Sequence, residues 1–213
     1  RELRALGIPL VTVLLSSKPL AIPEIAHSTD ALVCAFNGGM FGGQAVAEAI
    51  FGRLNPSGRL PISFPHHSGQ VPVYYNHLPG WHWGHYSDLP AEPLFTFGEG
   101  IGYAPFVYRD LAVDADSLTL SVKVRNAGDI AGEETVQVYL RDCVCEVMQP
   151  VKQLIAFRKV DTGMTREMVI AAWGEPYHKS EVKKEGRTLE TLRFSDNRYV
   201  ELLDGEVQYV RIY

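Results

Sequence analysis

The 213-residue sequence has few cysteines, no long apolar run and no excess of positive charge, and each shortage removes a class of protein. Three cysteines, Cys34, Cys143 and Cys145, cannot all pair with one another, and a chain of this length buries enough surface to fold without a disulfide framework. Cys143 and Cys145 would share one face of a strand, but a closed zinc site wants four ligands and normally a Cys-x-x-Cys spacing, so no metal is read here. The longest apolar stretch, Ile8 to Leu15, is too short to cross a bilayer and lacks the flanks of a signal peptide. Lys and Arg number 20 against 25 Asp and Glu, a net charge of -5 spread along the whole chain. That balance argues against electrostatic capture of nucleic acid or of an anionic membrane.

What is present is a globular composition, with 46% hydrophobic residues. Arg1 lies inside a helical pattern with no initiator methionine, so an upstream part is expected. Leu10 to Leu15 is an apolar, partly β-branched run that reads as a buried strand. A second run, Ala31 to Phe36, leads into the glycine-rich turn Asn37 to Gly43, and Gln44 to Phe51 spaces Val46, Ala49 and Ile50 on one helical face. Strand, turn and helix predict an α/β arrangement with parallel strands.

From Pro65 to Pro105 prolines, glycines, histidines and aromatics break every period, which reads as a long ordered connection. From Phe106 the period becomes two: Leu118, Leu120, Val122 and Val124, then Val136, Val138 and Leu140 after the Asn126-Ala127-Gly128-Asp129 turn, then a strand from Leu154 to Val160. This is a β-sandwich pattern with three or four strands, where a full domain needs about seven. At Asp161 the character changes. A helix from Met164 to Trp173 ends at Gly174-Glu175-Pro176, and four short strands follow, separated by Glu185-Gly186, Ser195-Asp196-Asn197 and Asp204-Gly205. No internal repeat or low-complexity tract is present.

Leu54-Asn55-Pro56-Ser57-Gly58-Arg59-Leu60-Pro61-Ile62-Ser63-Phe64-Pro65 resembles the signature of the second domain of glycoside hydrolase family 3, of the β-glucosidase type. The resemblance extends through Val71 to Asn76 and Pro93 to Gly100, and then through a fibronectin type III-like start at Val124 to Gly128 and Glu134 to Tyr139. Read this way, the fold is mixed: a partial α/β sandwich domain over residues 1–80, an aromatic-rich linker over 81–104, a partial fibronectin type III-like β-sandwich over 105–160 and a small α+β tail over 161–213. The tail, from Gly163 through Gly174-Glu175-Pro176 to Val207, is similar to small periplasmic lipoprotein domains of the SmpA/OmlA type, which bind protein partners. The lipid-bearing cysteine of those domains has no counterpart before Gly163.

The resemblance implies hydrolysis of β-glucosides or β-xylosides with retention, which takes two carboxyl groups about 5 Å apart. It also implies where they lie: the nucleophile in an amino-terminal barrel and the acid/base upstream of Leu10, both outside this sequence. Glu24, Asp30, Asp88, Glu92 and Glu99 were weighed as substitutes, and none sits in a motif that separates two carboxyl pKa values, so no catalytic residue is assigned. The Gly38 to Gly43 turn could offer amides to an anion or a sugar hydroxyl, though a lone glycine-rich turn is weak evidence and the tight-turn reading is favoured. Many family members carry an acidic or amide pair where this sequence has Met40-Phe41. Trp81, Trp83 and Tyr86, in the ring-rich segment Trp81 to Tyr86, are the candidate sugar contacts, against the plainer reading that they pack on a neighbouring domain. His66, His67, His77, His82 and His85 lack the spacing of a metal site.

No cofactor is expected. The implied partners are an oligosaccharide or glycoside substrate of the parent enzyme, an N-terminal barrel domain, no nucleic acid, and a protein partner for 161–213. The implied location is periplasmic or extracellular. Two other readings stand beside a hydrolase part: a non-catalytic glycan- or protein-binding module, and a fusion remnant without function.

Overall fold

The structure, a computed structural model, describes residues 2–80, 86–116, 119–162, 166–194 and 198–212. It is mostly sheet with few helices and forms two compact units. The first comprises Arg1–Leu54, Gly58–Gly100 and Gln137–Phe157; the second comprises Asn55–Ser57, Ile101–Val136 and Arg158–Tyr213.

The first unit opens with β1 (Val11–Leu14), α1 (Pro23–Ser28), β2 (Ala31–Cys34) and α2 (Gly42–Ile50). Proline at the start of α1 presets its φ where no intrahelical N–H bond is needed. β1 and β2 are parallel, from Val11 opposite Ala31 to Leu14 opposite Cys34. The junction before β2 is tied to the start of β1: the Leu10 amide donates to Asp30 Oδ2 at 2.8 Å, and the Thr29 hydroxyl lies 2.9 Å from the Leu10 carbonyl. Where the sequence predicts a buried strand at Leu10 to Leu15, Val11 and Val13 are 44% and 36% exposed, and Leu15 is 72% exposed. Parallel strands are normally covered on both faces, and two strands with two short helices do not supply that cover. In the glycine-rich turn, a Cβ on Gly38 would stand 2.7 Å from Gly42 Cα, so close backbone approach requires glycine there.

The 94–99 part of the connection is held by the segment before it. Phe64 is 2% exposed and meets Phe36 and Phe95 edge-on, at centroid separations of 6.4 and 6.2 Å. The Phe64 amide donates to the Phe95 carbonyl at 2.8 Å, and the Gly98 amide donates to the Leu60 carbonyl at 2.7 Å. The two stretches of the family-like pattern, Leu60 to Phe64 and Leu94 to Glu99, are thus zipped together.

The second unit holds β3 (Phe106–Asp114), β4 (Thr119–Asn126), α3 (Arg166–Trp173), β7 (His178–Lys184), β8 (Arg187–Arg193), β9 (Arg198–Leu203) and β10 (Glu206–Ile212). β5 (Gly132–Leu140) and β6 (Gln153–Thr162) pair in a separate two-stranded sheet and run through both units. The larger sheet has six strands in the order β3-β4-β10-β9-β8-β7. Period-two alternation turns Val122, Val124, Leu192, Val200, Leu202 and Val207 to one face, where they bury with Val136 of β5, Val160 of β6 and Val169 of α3. The sequence reading set the tail apart from Asp161 onward. In the structure β10 is hydrogen-bonded to β4, with Val210 opposite Val124, so the tail strands continue the sheet that β3 and β4 begin.

Candidate functional site

Asn55, the first polar residue of the signature, organises the second unit around it. Its Oδ1 accepts from the amides of Tyr103 at 2.6 Å and Ala104 at 3.1 Å, and its Nδ2 donates to the Glu133 carbonyl at 3.4 Å. Glycines flank it: a Cβ on Gly132 would stand 2.8 Å from Asn55 Nδ2, and one on Gly102 3.0 Å from Oδ1. The Ser57 hydroxyl donates to Glu133 Oε1 at 2.6 Å, and Lys159 Nζ reaches the same oxygen at 2.7 Å. Burial pushes the Glu133 carboxyl up, but the Lys159 and Ser57 hydrogen bonds outweigh it and hold the group below its ordinary value. This cluster is a structural knot: every polar atom named is used to hold backbone or a neighbour.

Of the candidate sugar contacts, Trp81 and Trp83 lie outside the described residues. Tyr86 is half-buried, and its amide donates to the Leu89 carbonyl at 2.8 Å. The 90–92 backbone, a few residues after Tyr86, is held by Gln70, which sequence reading passed over. It is 3% exposed; Oε1 accepts from the His66 amide at 2.8 Å, while Nε2 faces the carbonyls of Pro90, Ala91 and Glu92 at 3.1, 3.3 and 3.0 Å. A buried amide satisfied at both ends fixes the 90–92 backbone, and so the segment that follows Tyr86. The only sequence signal for it was a polar residue in a ring- and glycine-rich stretch. Further along the same unit, Tyr75 stacks on Phe97 at 4.2 Å, and its hydroxyl accepts the Leu154 amide at 3.2 Å.

Three of the carboxylates weighed as catalytic, Asp30, Glu99 and Glu24, sit in different local surroundings. Asp30 accepts from Arg4 and from the Leu10 amide, which hold it below the ordinary carboxyl range. Glu99 Oε2 accepts the Thr96 amide at 2.8 Å, and Glu24 lies in the first turn of α1. Among the described residues no group of three or more His, Cys, Asp or Glu side chains could hold a metal ion. Cys143 and Cys145 are exposed and Cys34 is half-buried, all as free thiols; burial pushes the Cys34 thiol up. Met40 and Phe41 in the glycine-rich turn are 94% and 72% exposed, and Phe41 makes no side-chain cap to α2. No described helix is long and apolar enough to cross a membrane.

Comparison with known proteins agrees with the signature. The Glycosyl hydrolase family 3 C-terminal domain matches residues 1–103, and the Fibronectin type III-like domain matches residues 134–167. The chain belongs to glycoside hydrolase family 3, as part of that family's C-terminal region. It is 38% identical over 174 residues to the periplasmic beta-glucosidase of Salmonella typhimurium, covering 74% of this chain and 23% of that protein. It is 39% identical over 163 residues to a beta-xylosidase of Formosa agariphila, covering 72% and 22%. Among solved structures, a beta-glucosidase from Listeria innocua in complex with gluconolactone superposes with a TM-score of 0.66 at 29% identity, over 98% of this chain and 31% of that one. The chain thus spans about a quarter of the length of the curated relatives it matches.

Proposed function

We propose that this chain is the non-catalytic carboxy-terminal part of a retaining β-glycosidase of the β-glucosidase or β-xylosidase type, whose parent hydrolyses O-glycosyl bonds in the periplasm or outside the cell. The observation that carries this reading is the zipped pair Leu60 to Phe64 and Leu94 to Glu99, the family signature used as scaffold. Retaining hydrolysis needs two carboxyl groups about 5 Å apart with separated pKa values, and no assigned pair here meets that need. In the parent, an N-terminal barrel domain supplies the nucleophile, and the aromatic segment with Trp81, Trp83 and Tyr86 contributes sugar-ring contacts. The test is turnover of aryl β-glucoside and aryl β-xyloside by the purified chain. None is expected; activity that survives substitution of Glu24, Asp30 and Glu92 would overturn the assignment.

A further inference from the structure

Between β5 and β6 the chain leaves the sheet, and residues 141–148 are exposed throughout. Two of the chain's cysteines lie in this stretch as Cys143-Val144-Cys145. Both are free thiols open to solvent, and Val144 between them is 91% exposed. The chain bends at Cys143 and Val144, where Asp142 Oδ1 accepts the Val144 amide at 3.2 Å. Residues two apart are separated by at most about 7 Å between Cα atoms when fully extended, and a bend shortens that. Disulfides accept Cα separations of about 4.4–6.8 Å, so the spacing and the bend together keep the two sulfurs within bridging reach.

Such a bridge closes over Val144 alone. A ring that small departs from relaxed disulfide geometry, and strained, exposed disulfides are the ones that are readily reduced again. The chemistry of the pair is therefore exchange, in contrast to a permanent structural bond. Cys34 is placed differently: it is half-buried in β2, and burial pushes its thiol up, which leaves it less thiolate to offer.

We propose that Cys143 and Cys145 form a reversible thiol–disulfide exchange site, a dithiol that a small-molecule disulfide such as oxidised glutathione converts into an intramolecular disulfide. One cysteine loses its proton, and its thiolate attacks a sulfur of the oxidant, breaking that S–S bond and releasing one glutathione thiolate, which takes up a proton. The other cysteine then loses its proton and attacks the protein sulfur of the mixed disulfide, joining Cys143 to Cys145 and releasing the second glutathione. The two cysteines are oxidised, and the glutathione disulfide is reduced to two thiols. The second step is intramolecular, at an effective concentration on the order of millimolar or more, so the mixed disulfide does not accumulate. Nothing in this inference draws on the glycosidase reading.

The test places the reduced 213-residue chain in glutathione buffers of graded oxidised fraction, alkylates the remaining thiols under denaturing conditions, and reads intact mass and a peptide map. Paired loss of the Cys143 and Cys145 thiols is expected in the monomer, with no glutathione retained, Cys34 still alkylated, and full reversal by excess reduced glutathione. Cys143→Ser and Cys145→Ser should each stop at one bound glutathione, held at least about tenfold longer than on the parent, because the intramolecular release is gone. Cys34→Ser should oxidise as the parent does, and circular dichroism checks that each variant is folded. Glutathione retained on both cysteines, disulfide-linked dimers, oxidation of Cys34 ahead of the pair, or thiols unchanged at every ratio would each overturn the proposal. A bridge that excess reduced glutathione leaves intact would overturn it as well.

Discussion

The parallel pair β1 and β2 is apolar and partly β-branched while the antiparallel strands β8 and β9 alternate polar with apolar residues, yet it is the more apolar pair that ends exposed. Val11, Val13 and Leu15 stand 44%, 36% and 72% exposed, whereas Leu192, Val200 and Leu202 are fully buried. Composition is not the cause. A parallel strand needs cover on both faces, and its neighbours come through crossovers; an antiparallel strand needs one covered face, and its neighbours come through tight turns. β8 and β9 receive their cover from β5, β6 and α3, while among the described elements β1 and β2 pair with each other and are joined to two short helices.

That contrast can be broken by mutation. Leu202→Ala should cost about 2–5 kcal/mol, as large-to-small changes in a closed core do, whereas Val13→Ala should cost less than about 1 kcal/mol. Urea unfolding of both variants checks this, and amide exchange should be slow in β8 and β9 and fast in β1 and β2. Equal costs would mean that the parallel pair is as well supported as the antiparallel strands.

A smaller effect sharpens the comparison from the polar side. Asn55→Ala leaves the Tyr103 and Ala104 amides without their acceptor and should cost about 1–3 kcal/mol, while Asn55→Asp, which keeps an acceptor oxygen, should cost less. The smallest effect expected is at Glu133. Its folded carboxyl is held below its ordinary value, so the stability it contributes is present above that value and is lost as pH falls through the folded one. Glu133→Gln should therefore be less stable than the parent by under about 1 kcal/mol near neutrality, because Lys159 is largely exposed, and the gap should close on acidification. Unfolding midpoints for both proteins across that range check the sign.

Much of the local structure was legible in the sequence. The run at Ala31, the helical spacing of Val46, Ala49 and Ile50, and the glycine turns at Gly186 and Gly205 each carry a short-range signal, and strands or a helix occupy those places. The partners of the strands were not legible, because β10 pairs with β4 across most of the second unit and no local period records that. Exposure of β1 was hidden for the same reason: burial depends on what covers a strand, which its own residues do not state. Gln70 was missed because its partners are backbone carbonyls, and carbonyls have no letter in a sequence. The aromatic loop was legible as a cluster of rings, but of its three candidate sugar contacts only Tyr86 falls within the described structure.

The place of β10 between β4 and β9 also sets a schedule for synthesis. β3 and β4 leave the ribosome before β7, β8 and β9; the first two can form their hairpin and the other three a meander, but the strand that joins the two groups is made after both. Until residues 206–212 emerge, β4 and β9 each keep an open edge, with Val124 and Val200 waiting for the same neighbour, Val210. The nascent chain therefore carries two unfinished sheet edges that invite pairing with other chains, and β10 removes both.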